Sequence, residues 1–83
     1  MPLSLTVFST PWCGYCVRLK SQLAAAEVPF LDVDITADES AAEAVMQVNG
    51  GNRTVPTVLF PDGSALTNPA LPEVLDRWNR ATE

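Results

Sequence analysis

The stretch "STPWCGYCVRLKSQL", residues 9–23, constrains this chain most, because it holds both of its cysteines, Cys13 and Cys16. An apolar/polar alternation runs up to it and helix-spaced apolar residues follow. The pair therefore belongs at a handover from strand to helix. A separation of three residues puts both thiols on one helical face, within reach of a disulfide.

The flanking segments carry the same kind of pattern. Leu3, Leu5 and Val7 alternate with Ser4, Thr6 and Phe8, which predicts a strand over residues 3–9. Thr10 and Pro11 break it. Cys16, Leu19 and Leu23 recur at helical spacing, so a helix is expected over residues 13–26. Pro29 ends that segment. In "FLDVDI", residues 30–35, Leu31, Val33 and Ile35 face one way, with Asp32 and Asp34 facing the other. Thr36 followed by Glu39 reads as a capping box. The helix it opens places Ala41, Val45 and Val48 on one face and stops at Gly50-Gly51, a left-handed terminus.

"TVPTVLF", residues 54–60, then forms a strand, Asp62-Gly63 a turn tip, and "ALT" a return strand, together a hairpin. Asn68 and Pro69 resemble an N-cap and first helical residue. Pro72 removes an early donor, so the last helix is expected to begin properly there, with Val74, Leu75 and Trp78 inward. The order is β-α-β-α-β-β-α in one domain over residues 1–83, with the first two strands parallel through a right-handed crossover.

Composition narrows the chemistry. With ten Asp and Glu against five Lys and Arg, the formal charge is −5, which argues against general nucleic-acid binding. The absence of histidine excludes imidazole catalysis and imidazole metal ligation. No apolar run approaches the roughly 20 residues of a membrane span, and the start does not read as a signal peptide. The expected location is the reducing cytoplasm, with no membrane partner. There a lone, close cysteine pair points to catalysis or metal binding before it points to a structural staple.

A thiol is a nucleophile only as thiolate, and a helix N-terminus favours an anion. In Cys-x-x-Cys motifs this environment lowers a cysteine pKa from about 8.5 into the range of about 3.5–7.5. Cys13 is therefore the exposed attacking thiol and Cys16, one turn deeper, the shielded resolving one. A structural zinc site needs further ligands. A metal-based alternative would require two chains to pool thiolates, as zinc or as a bridging iron–sulfur cluster.

Pro56 in "TVPT" reads on its residues alone as an edge-strand proline, and only about 5–6% of X–Pro bonds are cis. A cis bond would turn the Val55 N–H and C=O outward beside the thiols. Trp12 reads first as a packing residue shielding the loop. Tyr15 is expected to be exposed, while Arg18, Lys20 and Arg53 are cations that could raise the local potential.

"WCGYC" after a first strand, "TVPT" before a hairpin, and the element order resemble the glutaredoxin branch of the thioredoxin fold over essentially the whole chain. "WCGYCVRLK", "VNGGNRTVPTV" and "DGSALTNP" are similar to the mycoredoxins of actinobacteria. The resemblance implies a four-stranded mixed sheet flanked by three helices and a cis Pro56. It also implies a thiol–disulfide oxidoreductase that reduces protein mixed disulfides with a low-molecular-weight thiol.

Cys13 and Cys16 would be its catalytic residues, and Trp12, Tyr15, Arg53, Val55, Pro56 and Thr67 its substrate-binding ones, with no metal. Mycothiol or glutathione would serve as co-substrate, with no bound cofactor, S-thiolated proteins as partners, and the protein working as a monomer. "LTNPAL" lacks the glycine pair and acid that glutathione-using members carry after the hairpin, which favours mycothiol. The alternatives are a glutathione-dependent glutaredoxin, a small redoxin recharged by a thioredoxin-type reductase, and an iron–sulfur-bridged dimer.

Overall fold

The computed structural model describes residues 4–81, so the expectation for Leu3 falls outside the described residues. The elements are β1 (Leu5–Ser9), α1 (Gly14–Ala25), β2 (Phe30–Asp34), α2 (Glu39–Val48), β3 (Thr57–Leu59), β4 (Ala65–Thr67) and α3 (Leu71–Ala81). The strands form one sheet in the order β2-β1-β3-β4. β1 runs parallel to β2 and antiparallel to β3, which pairs antiparallel with β4. This is the thioredoxin-like arrangement the resemblance implies.

β1 is apolar on both faces, and that decides its central place. Leu5 and Val7 are fully buried on the face covered by α1 and α3, where they meet Leu19, Leu23 and Val74. Phe8 points the other way, into α2, against Ala41, Ala42 and Val45. β2 is an edge strand, and its alternation is only half used. Val33 and Ile35 join the α2 layer, whereas Leu31 is 60% exposed. Leu75 and Trp78 of α3 pack against the first layer, as their spacing predicts.

Several boundaries differ from the sequence expectation. Asp38, not Thr36, caps α2: its Oδ1 accepts from Ser40 N and Ala41 N at 3.0 and 3.2 Å. Thr36 instead donates to Asp34 from both N–H and hydroxyl. Aspartate out-competes threonine here because a charged acceptor meets the helix N-terminus. β3 begins at Thr57 rather than Thr54, since Pro56 has no N–H and cannot join the ladder. Asn68 adopts φ +47° and is no N-cap; its N–H donates to Pro56 O at 2.7 Å. α3 starts at Leu71, one residue before Pro72, and Glu73 Oε1 closes its first turn by accepting from Ala70 N.

The Gly50-Gly51 terminus forms as expected. Both residues have positive φ, and Gly51 N donates to Met46 O at 2.7 Å. α1 ends in the same kind of motif without a glycine. Glu27 takes φ +59°, its N–H reaches Ala24 O, and Val28 N reaches Leu23 O. The helix has therefore already turned before Pro29.

Asp32, midway along the edge strand β2, ties three elements together. Its carboxylate accepts from Ser9 Oγ of β1 at 2.6 Å and from Lys20 Nζ of α1 at 2.8 Å. Partial burial would raise its pKa, but the hydrogen bonds from Lys20 and Ser9 and the Lys20 charge outweigh it and hold the carboxyl below its ordinary value.

Two stability measurements follow from these contacts. Glu27→Gly should raise the thermal midpoint, because glycine removes a left-handed penalty of about 1 kcal/mol, offset in part by a looser unfolded chain. Asp32→Asn should destabilise the protein near neutral pH by at most about 1 kcal/mol, given the exposure of the pair. A depressed folded pKa stabilises above the ordinary carboxylate range and loses that effect as pH falls through it. Denaturant titrations should therefore show the gap to wild type closing below about pH 4.

Candidate redox site

Cys13 is the N-cap of α1, with extended backbone (φ −89°, ψ 105°). Its Sγ accepts from Cys16 N at 3.1 Å, so the sulfur itself fills the capping position that an oxygen usually takes. Thr10 O holds Cys13 N at 3.3 Å, closing a tight turn through Pro11 and Trp12. The first turn of α1 contains no acidic residue. Nothing there opposes an anion on Cys13, and the helix dipole favours one.

Cys13 and Cys16 form a disulfide with Cα atoms 5.2 Å apart, inside the usual range. Their burial differs in the sense the chemistry needs. Cys16 is fully buried beneath the turn, while Cys13 is half-buried at the surface. An incoming sulfur can reach only Cys13, and Cys16 is left to act from inside.

The Val55–Pro56 bond is cis. Val55 O lies 4.0 Å from Cys13 Sγ, so the loop before β3 borders the sulfur directly. Beside it runs a groove of about 400 Å³, with Tyr15, Arg18 and Gln22 of α1 on one wall. Residues 68–72 form the opposite wall, and Pro56 lies between them.

The structure sorts the sequence-selected residues into three groups. Tyr15, 71% exposed, and Pro56 line the groove, and Val55 borders the sulfur. Trp12 does not pack over the loop: it is 76% exposed, because the turn ahead of α1 points it away from both cores. Arg53 is exposed and not part of the groove wall, and Thr67 turns its hydroxyl to Asn49 Oδ1 instead. Lys20 is engaged with Asp32, which leaves Arg18 as the cation of the groove.

Arg18 and Gln22 follow Tyr15 at three- and four-residue steps, so helical spacing could have grouped them on that face. Asn68 and Leu71 reach the groove only because β4 returns beside β3, which no local pattern announces. Among the described residues, no group of three or more His, Cys, Asp or Glu side chains is arranged to hold a metal ion. No described helix is long and apolar enough to cross a membrane.

The family model described as Glutaredoxin matches residues 5–64, a span that includes both cysteines and the cis proline. The chain is 58% identical over 71 residues to a provisionally named glutaredoxin of Mycobacterium tuberculosis, covering 86% of this chain and 84% of that one. It is 46% identical over 72 residues to Mycoredoxin 1 of Corynebacterium glutamicum, covering 87% and 89% respectively. In fold it is similar to a buckwheat glutaredoxin solved with glutathione (TM-score 0.73, 24% identity, 96% of this chain and 77% of that one). It is likewise similar to a glutaredoxin of Archaeoglobus fulgidus (TM-score 0.71, 22% identity, 94% and 87%). An N-capping sulfur over a buried partner, the cis proline loop beside it and these similarities together place the chain in the glutaredoxin family, as a mycoredoxin-like thiol–disulfide oxidoreductase.

Proposed function

We propose that the protein reduces mixed disulfides between proteins and mycothiol. The observation that carries the reaction is the contact from Cys16 N–H to Cys13 Sγ at 3.1 Å. It gives a developing thiolate a donor at the positive end of a helix.

Cys13 thiolate attacks the mycothiol sulfur of the mixed disulfide. The Cys13–mycothiol bond forms, the mycothiol–protein bond breaks, and the target leaves as thiolate and takes up a proton from water. A second mycothiol thiolate then attacks the bound mycothiol sulfur, releasing mycothiol disulfide and regenerating Cys13. In the dithiol route Cys16 attacks Cys13 instead, releasing mycothiol and closing the internal disulfide. No bound cofactor is needed. Mycothiol, kept reduced by a flavoprotein reductase in the cytoplasm, supplies the electrons.

The choice of mycothiol over glutathione rests on the similarity to Mycoredoxin 1 and on the α3 wall of the groove. Most of the backbone along that wall offers no donor for a carboxylate. Pro69 and Pro72 have no N–H, Asn68 N is held by Pro56 O, and Ala70 N is held by the Glu73 carboxylate. Glutathione carries carboxylates, whereas mycothiol presents sugar and inositol hydroxyls, which can donate to such a wall.

In the reduced protein, Cys13 should ionise at lower pH than a free cysteine, read by thiolate absorbance against pH; an ordinary titration would remove the basis of the mechanism. Cys13→Ser should abolish turnover of a mycothiol mixed disulfide, while Cys16→Ser should keep appreciable activity through the monothiol route. Equal loss in both variants would make the dithiol route obligatory. A paired assay of one peptide, S-thiolated with mycothiol and separately with glutathione, tests the choice of thiol, and faster turnover with glutathione would refute it.

A further inference from the structure

A directed chain of hydrogen bonds runs behind the loop that borders Cys13. Thr67 Oγ1 of β4 donates to Asn49 Oδ1. Asn49 Nδ2 donates to Thr57 Oγ1 at 3.0 Å, and Thr57 Oγ1 donates to Thr54 O at 2.8 Å. The direction is forced. A threonine hydroxyl has one proton, and Thr57 gives its proton to Thr54 O, so it must accept from the amide NH₂ of Asn49. The two middle members of the chain are firmly held. Asn49 N–H closes the end of α2 on Val45 O at 3.0 Å, and Thr57 is fully buried in β3 opposite Thr67 of β4.

The far end of the chain fixes a particular peptide plane. Thr54 C=O and Val55 N–H belong to one planar, trans peptide group, in which the two bonds point in opposite directions. Holding Thr54 O toward Thr57 therefore aims Val55 N–H away from the core of the loop. Asn68 N–H, donating to Pro56 O at 2.7 Å, pins the other end of the same loop. Val55 is the residue whose carbonyl lies 4.0 Å from Cys13 Sγ, so its backbone is what a disulfide-bearing substrate meets on arrival.

We infer that Asn49, acting through Thr57, is a positioning residue for substrate binding: it orients the Val55 backbone beside Cys13 without touching the substrate itself. An asparagine suits this place because its one planar group accepts on one side and donates on the other. It links β4 and α2 to a loop that lacks ladder bonds of its own. The inference does not depend on which small thiol the protein uses.

The test uses Asn49→Asp, Thr57→Val and Thr57→Ser. Asn49→Asp keeps the acceptor for Thr67 but faces Thr57 with a second acceptor, and Thr57→Val removes the hydroxyl at nearly constant volume. The substrate is the S-thiolated peptide, made with mycothiol or glutathione, that the wild type turns over faster. Asn49→Asp and Thr57→Val should raise KM by about threefold to tenfold, the worth of one oriented hydrogen bond. The rate of Cys13 alkylation by iodoacetamide should stay within about twofold of wild type, because the helix-end contact to the sulfur is untouched.

Thr57→Ser, which keeps the hydroxyl, should restore KM. Thermal melts would show each variant folded at the assay temperature. An unchanged KM in both disruptive variants overturns the inference. So does a KM rise of equal size in Thr57→Ser, or a parallel fall in Cys13 alkylation, since either would mean general loosening of the site.

Discussion

The site depends on one contact, the Cys16 N–H to Cys13 Sγ hydrogen bond at the start of α1. It makes the reactive sulfur a structural part of the helix. A neutral sulfur is a weak acceptor, so as a cap it is inferior to Asp, Asn, Ser or Thr. Once ionised it becomes a charged acceptor at the positive end of a dipole, and both the helix and the anion gain. The other features of the site serve to keep this contact in place. The turn through Pro11 leads Cys13 in from β1, the absence of acids in the first turn leaves the field unopposed, and full burial of Cys16 fixes the depth of the helix.

That contact in turn requires the sheet to hold α1 at a set height. Leu19 and Leu23 anchor the helix over Leu5 and Val7, and the Asp32 carboxylate, midway along β2, links it to the end of β1 through Lys20 and Ser9. On the opposite side of the sulfur, the loop before β3 has no ladder hydrogen bonds and is held from behind by side chains. The two halves of the site thus rest on different physics. One is a helix terminus set by core packing, and the other a loop braced by polar contacts from α2 and β4.

The groove follows from where these halves meet. Its α1 wall carries Tyr15, Arg18 and Gln22, whose side chains can donate hydrogen bonds, while on the facing wall Pro69 and Pro72 have no N–H and those of Asn68 and Ala70 are engaged. That asymmetry is a statement about ligand chemistry. The donors along the groove are therefore mainly side chains of α1, with few backbone N–H groups on the facing wall.

Local sequence determined the order of elements, the strand-to-helix position of Cys13, the burial of Cys16 and the Gly50-Gly51 terminus. Each depends on neighbours within about one helical turn or one strand. Where two local signals competed, sequence reasoning misplaced the boundary. Asp38 displaced Thr36 as the cap, and Asn68 went left-handed instead of capping α3.

The roles of Thr67, Asn49 and Trp12 were decided only by tertiary structure. Whether a threonine faces a ligand or braces a loop depends on what the sheet brings behind it, and whether a tryptophan is buried depends on which elements reach over it. Chain periodicity encodes which face a residue occupies. What lies across that face is settled when β4 and α2 close around the loop that carries Pro56, through contacts between residues far apart in the sequence.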